Sequence, residues 1–339
     1  MAGLWGGLLP KTETQAFQFI KANPNYDGRG VVVGILDTGV DPAAAGLQQC
    51  PDGRPKVIDV VDCSGSGDVH LSEWLASSND GKTLEIPAAL LDNKSGKKII
   101  LNKEWKNPSG KYRYACKKAF EGLFPGRVIR EVKADRKKKW EKQQNLTELA
   151  LQQQLIALTS GTANGDSTDR PEVEELQARI QVLRSLGKEH KDPGPVYDCL
   201  VWHNGEYYEA AINLGQQDPY TAGTPDSETA PTLRDSDFST VAAMCDFKRK
   251  RQHSRFSHVD SLTFAVNIFD NGSILSVVTD AGAHGTHVAG IVAAYHPPGT
   301  SGANPSSIDN DNKKGEGDKD SSEEDCNGVA PGAQIISLK

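Results

Sequence analysis

Three short apolar runs along the chain have the pattern of strands in a parallel sheet. Residues 31–36 (VVVGIL) are continuously apolar and mostly β-branched, which is typical of a strand buried on both faces. Residues 56–62 (KVIDVVD) and 333–338 (AQIISL) have similar patterns, and polar or glycine-containing segments border each run. The fold class that these runs predict is α/β with a mostly parallel sheet and flanking helices.

Between about residues 70 and 260 the pattern changes. Residues 130–158 and 171–190 are rich in Lys, Glu, Gln, Leu and Arg, with apolar residues at helical spacing. The polar segment between them predicts a loop and therefore an antiparallel helix pair. A strand-like stretch follows at 196–212, and residues 215–237 have the Pro, Thr, Asp and Ser content of a linker.

A hairpin and a helix are predicted after residue 260. Residues 264–269 and 274–278 flank Asp270-Asn271-Gly272, which is a strong signal for a β-hairpin. Residues 283–292 (AHGTHVAGIV) then start a helix. Its predicted apolar face consists of Val288, Ile291, Val292 and Tyr295.

These changes of pattern predict three segments. Residues 1–69 form the first part of an α/β domain, residues 70–260 form an α+β insert, and residues 261–339 continue the α/β domain. A short helix is predicted at 12–22. Residues 298–326 are polar and acidic with few apolar side chains, so a mobile loop is expected there.

Composition narrows the class of protein. The 339 residues carry a formal net charge of −7 and 37% hydrophobic residues, which does not favour nucleic acid as the main partner. No apolar run has the length of a transmembrane helix, and no secretory signal is recognisable, so we expect a cytoplasmic protein. Six cysteines show no metal-binding spacing, and reduced thiols are expected: Cys50, Cys63, Cys116, Cys199, Cys245 and Cys326. No cofactor or metal site is predicted.

Two polar residues lie at positions suited to catalysis. Asp37 follows a buried strand, and ligand sites of open α/β sheets form outside the carboxyl ends of strands. His284 begins the predicted helix, with Gly282 and Gly285 beside it to allow close approach of backbone. A histidine that acts as a general base needs a carboxylate on its far ring nitrogen, and Asp37 is a candidate for that partner. Taken singly, each residue is more commonly structural.

The residues around these two positions resemble the motifs of subtilisin-like serine peptidases. Residues 30–39 (GVVVGILDTG) are similar to the aspartate motif of that family, and residues 284–290 (HGTHVAG) to its histidine motif. Residues 328–331 (GVAP) resemble a motif that follows them in the same order. The resemblance implies a subtilisin-like fold in which Asp37 is the orienting carboxylate and His284 the general base.

The long separation of the two residues narrows the resemblance further. The gap is 284 − 37 = 247 residues, and an insert of this size is similar to that of one branch of the family. Members of that branch release tripeptides from the free N-termini of oligopeptides in the cytosol and assemble into large homo-oligomers. The insert and its borders are similar to this branch at residues 27–30, 52–56, 65–68, 105–110, 194–198 and 201–206.

The serine motif of the family is expected downstream of residues 328–331, together with an oxyanion-hole asparagine, and neither occurs in these 339 residues. A partial match at 299–301 (GTS) is out of family order. We therefore expect the N-terminal portion of a peptidase, with an incomplete catalytic domain that is inactive by itself. An alternative of a different class is a non-catalytic short form that binds full-length subunits.

Three smaller features have competing interpretations. His284 and His287 lie three residues apart and are alternatively a metal pair, although no third ligand is apparent. The resemblance assigns His287 a structural role. Residues 248–251 (KRKR) are either a solvated loop or a patch for polyanions. The helix pair is either a surface for self-association or a plain insert.

Overall fold

The computed structural model describes residues 11, 13–91, 96–161, 170–189, 191–215, 235–256, 262–297 and 327–339. The helices in these ranges are α1 (Ala16–Ala22), α2 (Gly126–Gly161), α3 (Arg170–Glu189), α4 (Phe247–Lys250) and α5 (His284–Ala293). The strands are β1 (Val32–Leu36), β2 (Val57–Val61), β3 (Asp68–His70), β4 (Leu75–Ala76), β5 (Thr83–Ile86), β6 (Lys97–Ile100), β7 (Lys111–Lys118), β8 (Val196–His203), β9 (Tyr208–Asn213), β10 (Ser236–Asp237), β11 (Ser254–Arg255), β12 (Thr263–Phe269), β13 (Ile274–Thr279) and β14 (Gln334–Leu338). None of the described helices is long and apolar enough to cross a membrane.

The three apolar runs form one parallel sheet. β14 lies between β1 and β2 and pairs with both in parallel. Parallel neighbours require long crossover connections, and here the connection to β14 contains almost the whole remainder of the chain. Outside this sheet most strand pairs are antiparallel, so the predicted parallel character applies mainly to the sheet that carries Asp37.

The expectation that β1 is buried on both faces is wrong for the described residues. Ile35 is buried and Val33 is half-buried, and both pack in the cluster that includes α5. Val32 and Leu36, on the opposite face, are 48% and 78% exposed. The reason is position, because β1 is an edge strand of this sheet and α5 covers one of its faces. An apolar run therefore predicted the strand but not how many of its faces are covered.

The predicted hairpin is confirmed and forms part of a four-stranded antiparallel sheet. β12 and β13 pair antiparallel from Phe264 opposite Thr279 to Phe269 opposite Ile274. β11 and β3 extend the sheet on its two sides. The chain leaves β13 and reaches α5 after only four residues, so the hairpin determines where that helix begins.

The predicted helix pair is also confirmed. α2 begins directly after Pro125, which is four residues earlier than the pattern suggested, and proline is well suited to the start of a helix. Arg136 in the first half of α2 lies 2.8 Å from Asp192, just after α3, whereas Gln144 further along α2 donates to the carbonyl of Leu183 inside α3 at 3.2 Å. These contacts show an antiparallel arrangement.

The rest of the insert contains two further sheets. The strand-like stretch at 196–212 is a hairpin of β8 and β9, inside a sheet with the order β4-β7-β8-β9. The second sheet has the order β10-β6-β5, with β10 near the end of the predicted linker. Trp202 is fully buried between these sheets and stacks on Trp105 with ring centroids 4.4 Å apart. Residues 216–234 of the linker and the predicted loop 298–326 lie outside the described residues.

A buried ion pair connects the two sheets of the insert. Lys97 of β6 contacts Asp198 of β8, and their side chains are only 3% and 1% exposed. Asp198 also accepts hydrogen bonds from the hydroxyls of Tyr114, at 2.7 Å, and Ser236. A buried carboxylate with several donors is well compensated, whereas loss of its cation leaves a buried charge.

The insert is attached to the rest of the chain by specific polar contacts. Lys117 donates to the backbone carbonyls of Ser66 and Asp68, at 2.9 and 3.2 Å. The hydroxyl of Thr279 donates to the carbonyl of Leu123 at 2.8 Å. A common apolar cluster reinforces these contacts, because it contains residues of β8, β9, β12 and β13 together with Leu123. The position of the insert relative to β13 is thus determined by the core itself.

α5 packs against β1 and β14 through its small residues. Its buried positions are Gly285, Ala289 and Ala293, whereas the predicted apolar face is only half-buried. A Cβ atom on Gly285 would lie 2.3 Å from the carbonyl oxygen of Gly39, so the helix touches the backbone of the turn after β1. A helix this close to backbone must present its smallest residues, which explains the difference from the predicted face.

Replacing Gly285 by Ala is expected to destabilise the protein by about 1–3 kcal/mol, because the new methyl group overlaps the backbone of Gly39. Gly290 on the same helix is the matched control, since a Cβ atom there meets nothing within 4 Å. Gly290→Ala should be neutral or stabilise by up to about 1 kcal/mol through helix propensity. Urea unfolding of both variants measures the difference, and equal effects would contradict the proposed close approach.

Replacing Lys97 by Met is expected to destabilise the insert by about 3–5 kcal/mol, because Asp198 then keeps a buried charge without its cation. The matched control is Lys82→Met, which breaks the exposed Lys82–Asp80 pair and should change the free energy of unfolding by less than about 1 kcal/mol. Denaturant unfolding followed by the fluorescence of the buried Trp202 and its stacking partner Trp105 reports on both. A loss below 1 kcal/mol for Lys97→Met would show that the ion pair is not important for stability.

Candidate functional site

Asp37 lies at the carboxyl end of β1, where the sequence predicts a ligand-facing position. Its backbone N–H donates to the carbonyl of Leu338 at 3.0 Å, so pairing with β14 fixes the position of Asp37 along the edge of the sheet. The carboxylate accepts a short hydrogen bond from the N–H of Thr38, at 2.7 Å. The side chain is 20% exposed and therefore still reachable from solvent.

His284 is the first residue of α5 and contacts this carboxylate. Its Nδ1 atom lies 2.8 Å from Oδ1 and 2.7 Å from Oδ2 of Asp37. The structure therefore brings the two predicted residues together across 247 positions of sequence. Because Nδ1 donates to the carboxylate, a neutral imidazole carries its proton on Nδ1. Its Nε2 atom then has a free lone pair. The histidine side chain is 70% exposed, so that nitrogen is accessible to a reacting group.

Thr38 joins the aspartate turn to the histidine helix. Its hydroxyl donates to the carbonyl of Gly282 at 2.8 Å and accepts from the N–H of Gly285 at 2.9 Å. Its carbonyl accepts from the N–H of Ala281 at 2.7 Å. These three hydrogen bonds are made by residues that come before and after His284 in the sequence. They hold the imidazole at the carboxylate independently of the contact between the two side chains.

The carboxylate of Asp37 has a lowered pKa. The main cause is the hydrogen bond from the N–H of Thr38, followed by the hydrogen bond to His284. Both interactions favour the charged form. Asp37 is therefore ionised at neutral pH and able to stabilise a positive charge on the imidazole.

A cleft of about 590 Å³ lies beside Asp37, and its lining reaches Ala281 but not His284. One part of its wall consists of Asp37, Thr38 and Ala281, and another consists of Ser64, Ser66 and Lys339. The ammonium of Lys339 lies 3.5 Å from Asp62 and 3.1 Å from the hydroxyl of Ser66. The negative charge of Asp62 therefore offsets the lysine charge in the wall of this cleft.

The insert supplies the remaining wall of the cleft, through Gly122, Phe124 and Pro125. Sequence reasoning missed this contribution, because nothing in the local pattern shows that this turn approaches Asp37. Gly122 has a φ of 79° and sits so close to Ser66 that a Cβ atom would lie 2.6 Å from its carbonyl oxygen. A larger cavity of about 1960 Å³ occurs within the insert, but neither Asp37 nor His284 lines it.

The other features singled out from the sequence lie apart from this pair. His287 is exposed one turn further along α5, and no group of three or more His, Cys, Asp or Glu residues in the described ranges is arranged to hold a metal ion. Residues 248–250 belong to the short helix α4, and Arg251 follows its last residue, so this stretch is not a plain loop. Arg249 and Lys250 lie over the ring of Tyr207 at 4.8 and 5.2 Å, which is a cation–π arrangement. The partial motif 299–301 falls outside the described residues.

Comparison with known proteins agrees with the motifs. The model of the Subtilase family matches residues 28–339. The proteins named tripeptidyl-peptidase 2 of Oryza sativa subsp. japonica and of Arabidopsis thaliana are each 36% identical over 333 residues, which is 98% of this chain and 21% of each relative. Pyrolysin of Pyrococcus furiosus is 51% identical over 57 residues, covering 17% of this chain and 4% of pyrolysin.

The crystal structure of tripeptidyl peptidase 2 has a similar fold, with a TM-score of 0.55 and 22% sequence identity over 96% of this chain and 21% of that chain. This chain thus spans about one fifth of the length of these relatives. The family match, over residues 28–339, includes the turn after β1, the helix α5 and the strand β14. From this match and from the contact of Asp37 with His284, we conclude that the chain belongs to the subtilase family of serine peptidases.

Proposed function

We propose that this chain supplies the base and the orienting carboxylate of a serine peptidase that releases tripeptides from free peptide N-termini. The observation that carries the proposal is the hydrogen-bonded contact of His284 Nδ1 with Asp37 at the carboxyl end of β1. The name of the relatives that match 98% of the chain supports the tripeptidyl specificity. Oligopeptides are then the substrates.

His284 acts as the general base in this mechanism. Its Nε2 atom removes the proton of a serine hydroxyl as the oxygen attacks the scissile carbonyl, and later returns a proton to the leaving amine. Asp37 keeps the imidazole in the required tautomer and stabilises its positive charge during the reaction. The lowered pKa of Asp37 suits this role, because the carboxylate keeps its charge at neutral pH.

The nucleophile belongs, in this proposal, to polypeptide beyond these 339 residues. The exposed side chains of Val32 and Leu36 on β1 offer an apolar face against which such polypeptide can pack. Because these 339 residues do not include the serine motif, we expect them to be inactive as a peptidase by themselves. A cytoplasmic location and assembly into homo-oligomers remain predictions from the family resemblance.

The wall formed by the insert gives it a role in substrate binding. Gly122, Phe124 and Pro125 border the same cleft as Asp37, and the contacts of Lys117 and Thr279 hold them there. A peptide that reaches His284 through this cleft touches the insert. The insert thereby limits which side chains fit next to the reacting bond.

In the full-length protein, Asp37→Asn is expected to lower kcat by roughly 10⁴-fold, because the amide no longer fixes the correct tautomer of His284. His284→Ala removes the base and should lower kcat further, by roughly 10⁶-fold. Release of tripeptides from a synthetic oligopeptide, measured by mass spectrometry, gives the rates.

The matched control is His287→Ala, which removes an exposed histidine of the same helix and should leave kcat unchanged. An N-acetylated copy of the oligopeptide tests the requirement for a free N-terminus, and it should not be cleaved into tripeptides. Normal turnover by Asp37→Asn or His284→Ala would disprove the assignment of the pair. Cleavage of the blocked peptide would disprove only the tripeptidyl specificity.

A further inference from the structure

A small cavity lies behind the turn that carries Asp37. Its lining includes Gly39, Asp41, Thr263, Asp280 and Ser337. The volume accessible to the centre of a water molecule in this cavity is about 10 Å³. One water molecule needs roughly 10–15 Å³ on the same measure, so the size suits a single water.

The hydroxyl of Thr263 is buried at this cavity. Thr263 is 3% exposed, and its Oγ1 atom has no hydrogen-bond partner in the described part of the chain. Phe264 pairs with Thr279, so continuing the antiparallel register places Thr263 opposite Asp280. Cross-strand neighbours of this kind have their side chains about 5 Å apart on one face of the sheet. A buried hydroxyl without a partner is unfavourable by about 1–3 kcal/mol, so a bridging molecule is favoured there.

Two carboxylates share the same space. Asp41 uses Oδ1 to accept from the N–H of Ala43 at 2.8 Å. Burial raises the pKa of Asp280, and the negative charge of Asp41 raises it further. The backbone N–H of Asp280 and the charge of Lys339 act in the opposite direction, but burial is the largest effect. Both side chains line the cavity, and a carboxyl group keeps an acceptor oxygen whether it is charged or neutral.

We propose that this cavity binds one water molecule, which accepts a hydrogen bond from Thr263 and donates one each to the carboxylates of Asp41 and Asp280. A water provides the acceptor and the two donors that these three groups require. A multivalent metal ion fits less well, because no cluster of three or more His, Cys, Asp or Glu ligands occurs in the described ranges. The assignment is independent of the nucleophile and goes beyond the proposed peptidase function.

The water supports the segment that leads into the histidine helix. Asp280 lies against Gly39, since a Cβ atom on this glycine would be 3.5 Å from the Cβ of Asp280. The next residue, Ala281, donates to the carbonyl of Thr38, and His284 follows three residues later. A water held between Asp280, Asp41 and Thr263 thus supports the segment before His284 from a cavity that shares no lining residue with the cleft.

A crystal structure of the full-length protein at high resolution tests the site directly. We expect a density peak at about 2.7–3.2 Å from Thr263 Oγ1 and from one carboxylate oxygen of both Asp41 and Asp280. Absence of such a peak, or a direct contact between Thr263 and Asp280, overturns the proposal. A peak with several oxygen distances near 2.4 Å indicates a metal ion and overturns it as well.

Hydrogen exchange of two substitutions gives a second test that does not need crystals. Thr263→Val has the shape of threonine without the hydroxyl, and Thr263→Ser keeps the hydroxyl. The measured quantity is the exchange rate of segment 280–285 divided by that of β8, which corrects for any general loss of stability. We expect a rise of about tenfold in Thr263→Val and no change in Thr263→Ser. An unchanged ratio in Thr263→Val contradicts the bridging water.

Discussion

The close contact between α5 and the turn after β1 is the constraint on which the site depends. Gly285 touches the backbone of Gly39, and the hydroxyl of Thr38 bonds to backbone on both sides of His284. A larger side chain at the contact would move the helix outward and separate the imidazole from Asp37. The close backbone approach and these backbone hydrogen bonds thus set the distance between His284 and Asp37, and the contact of 2.7 Å is their result.

The insert takes part in this arrangement rather than standing apart from it. Its polar core, centred on Lys97 and Asp198, gives it an interior of its own. A second apolar cluster joins it to the hairpin that leads into α5, and Thr279 at the end of that hairpin bonds to the insert. The same hairpin end therefore positions both the histidine helix and the insert wall of the cleft. The long stretch of chain between Asp37 and His284 is compatible with their close contact because it is anchored at that point.

Much of this architecture was predictable from the sequence, although not all of it. The helix pair, the hairpin at Asp270-Asn271-Gly272 and the strands of the parallel sheet appear where the periodicity of apolar residues placed them. The burial of β1 and the buried face of α5 were predicted wrongly. Burial depends on what covers an element, and the smallest residues of α5 face the sheet because the backbone approach is so close. The spacing of apolar residues predicts which side of a helix is hydrophobic. It does not predict how closely another element packs against that helix.

The sequence by itself determined the elements and the chemical identity of Asp37 and His284, because strands, helices and motifs depend on residues close together in the chain. The motifs also suggested that these two residues pair, but only the tertiary structure decided how closely they meet and which walls surround them. It also decided that Thr263 and Asp280 lie at the same cavity. Each of these relations joins residues far apart in sequence or on different strands. Local periodicity carries no information about such distances, since they follow from the packing of sheets and helices against one another.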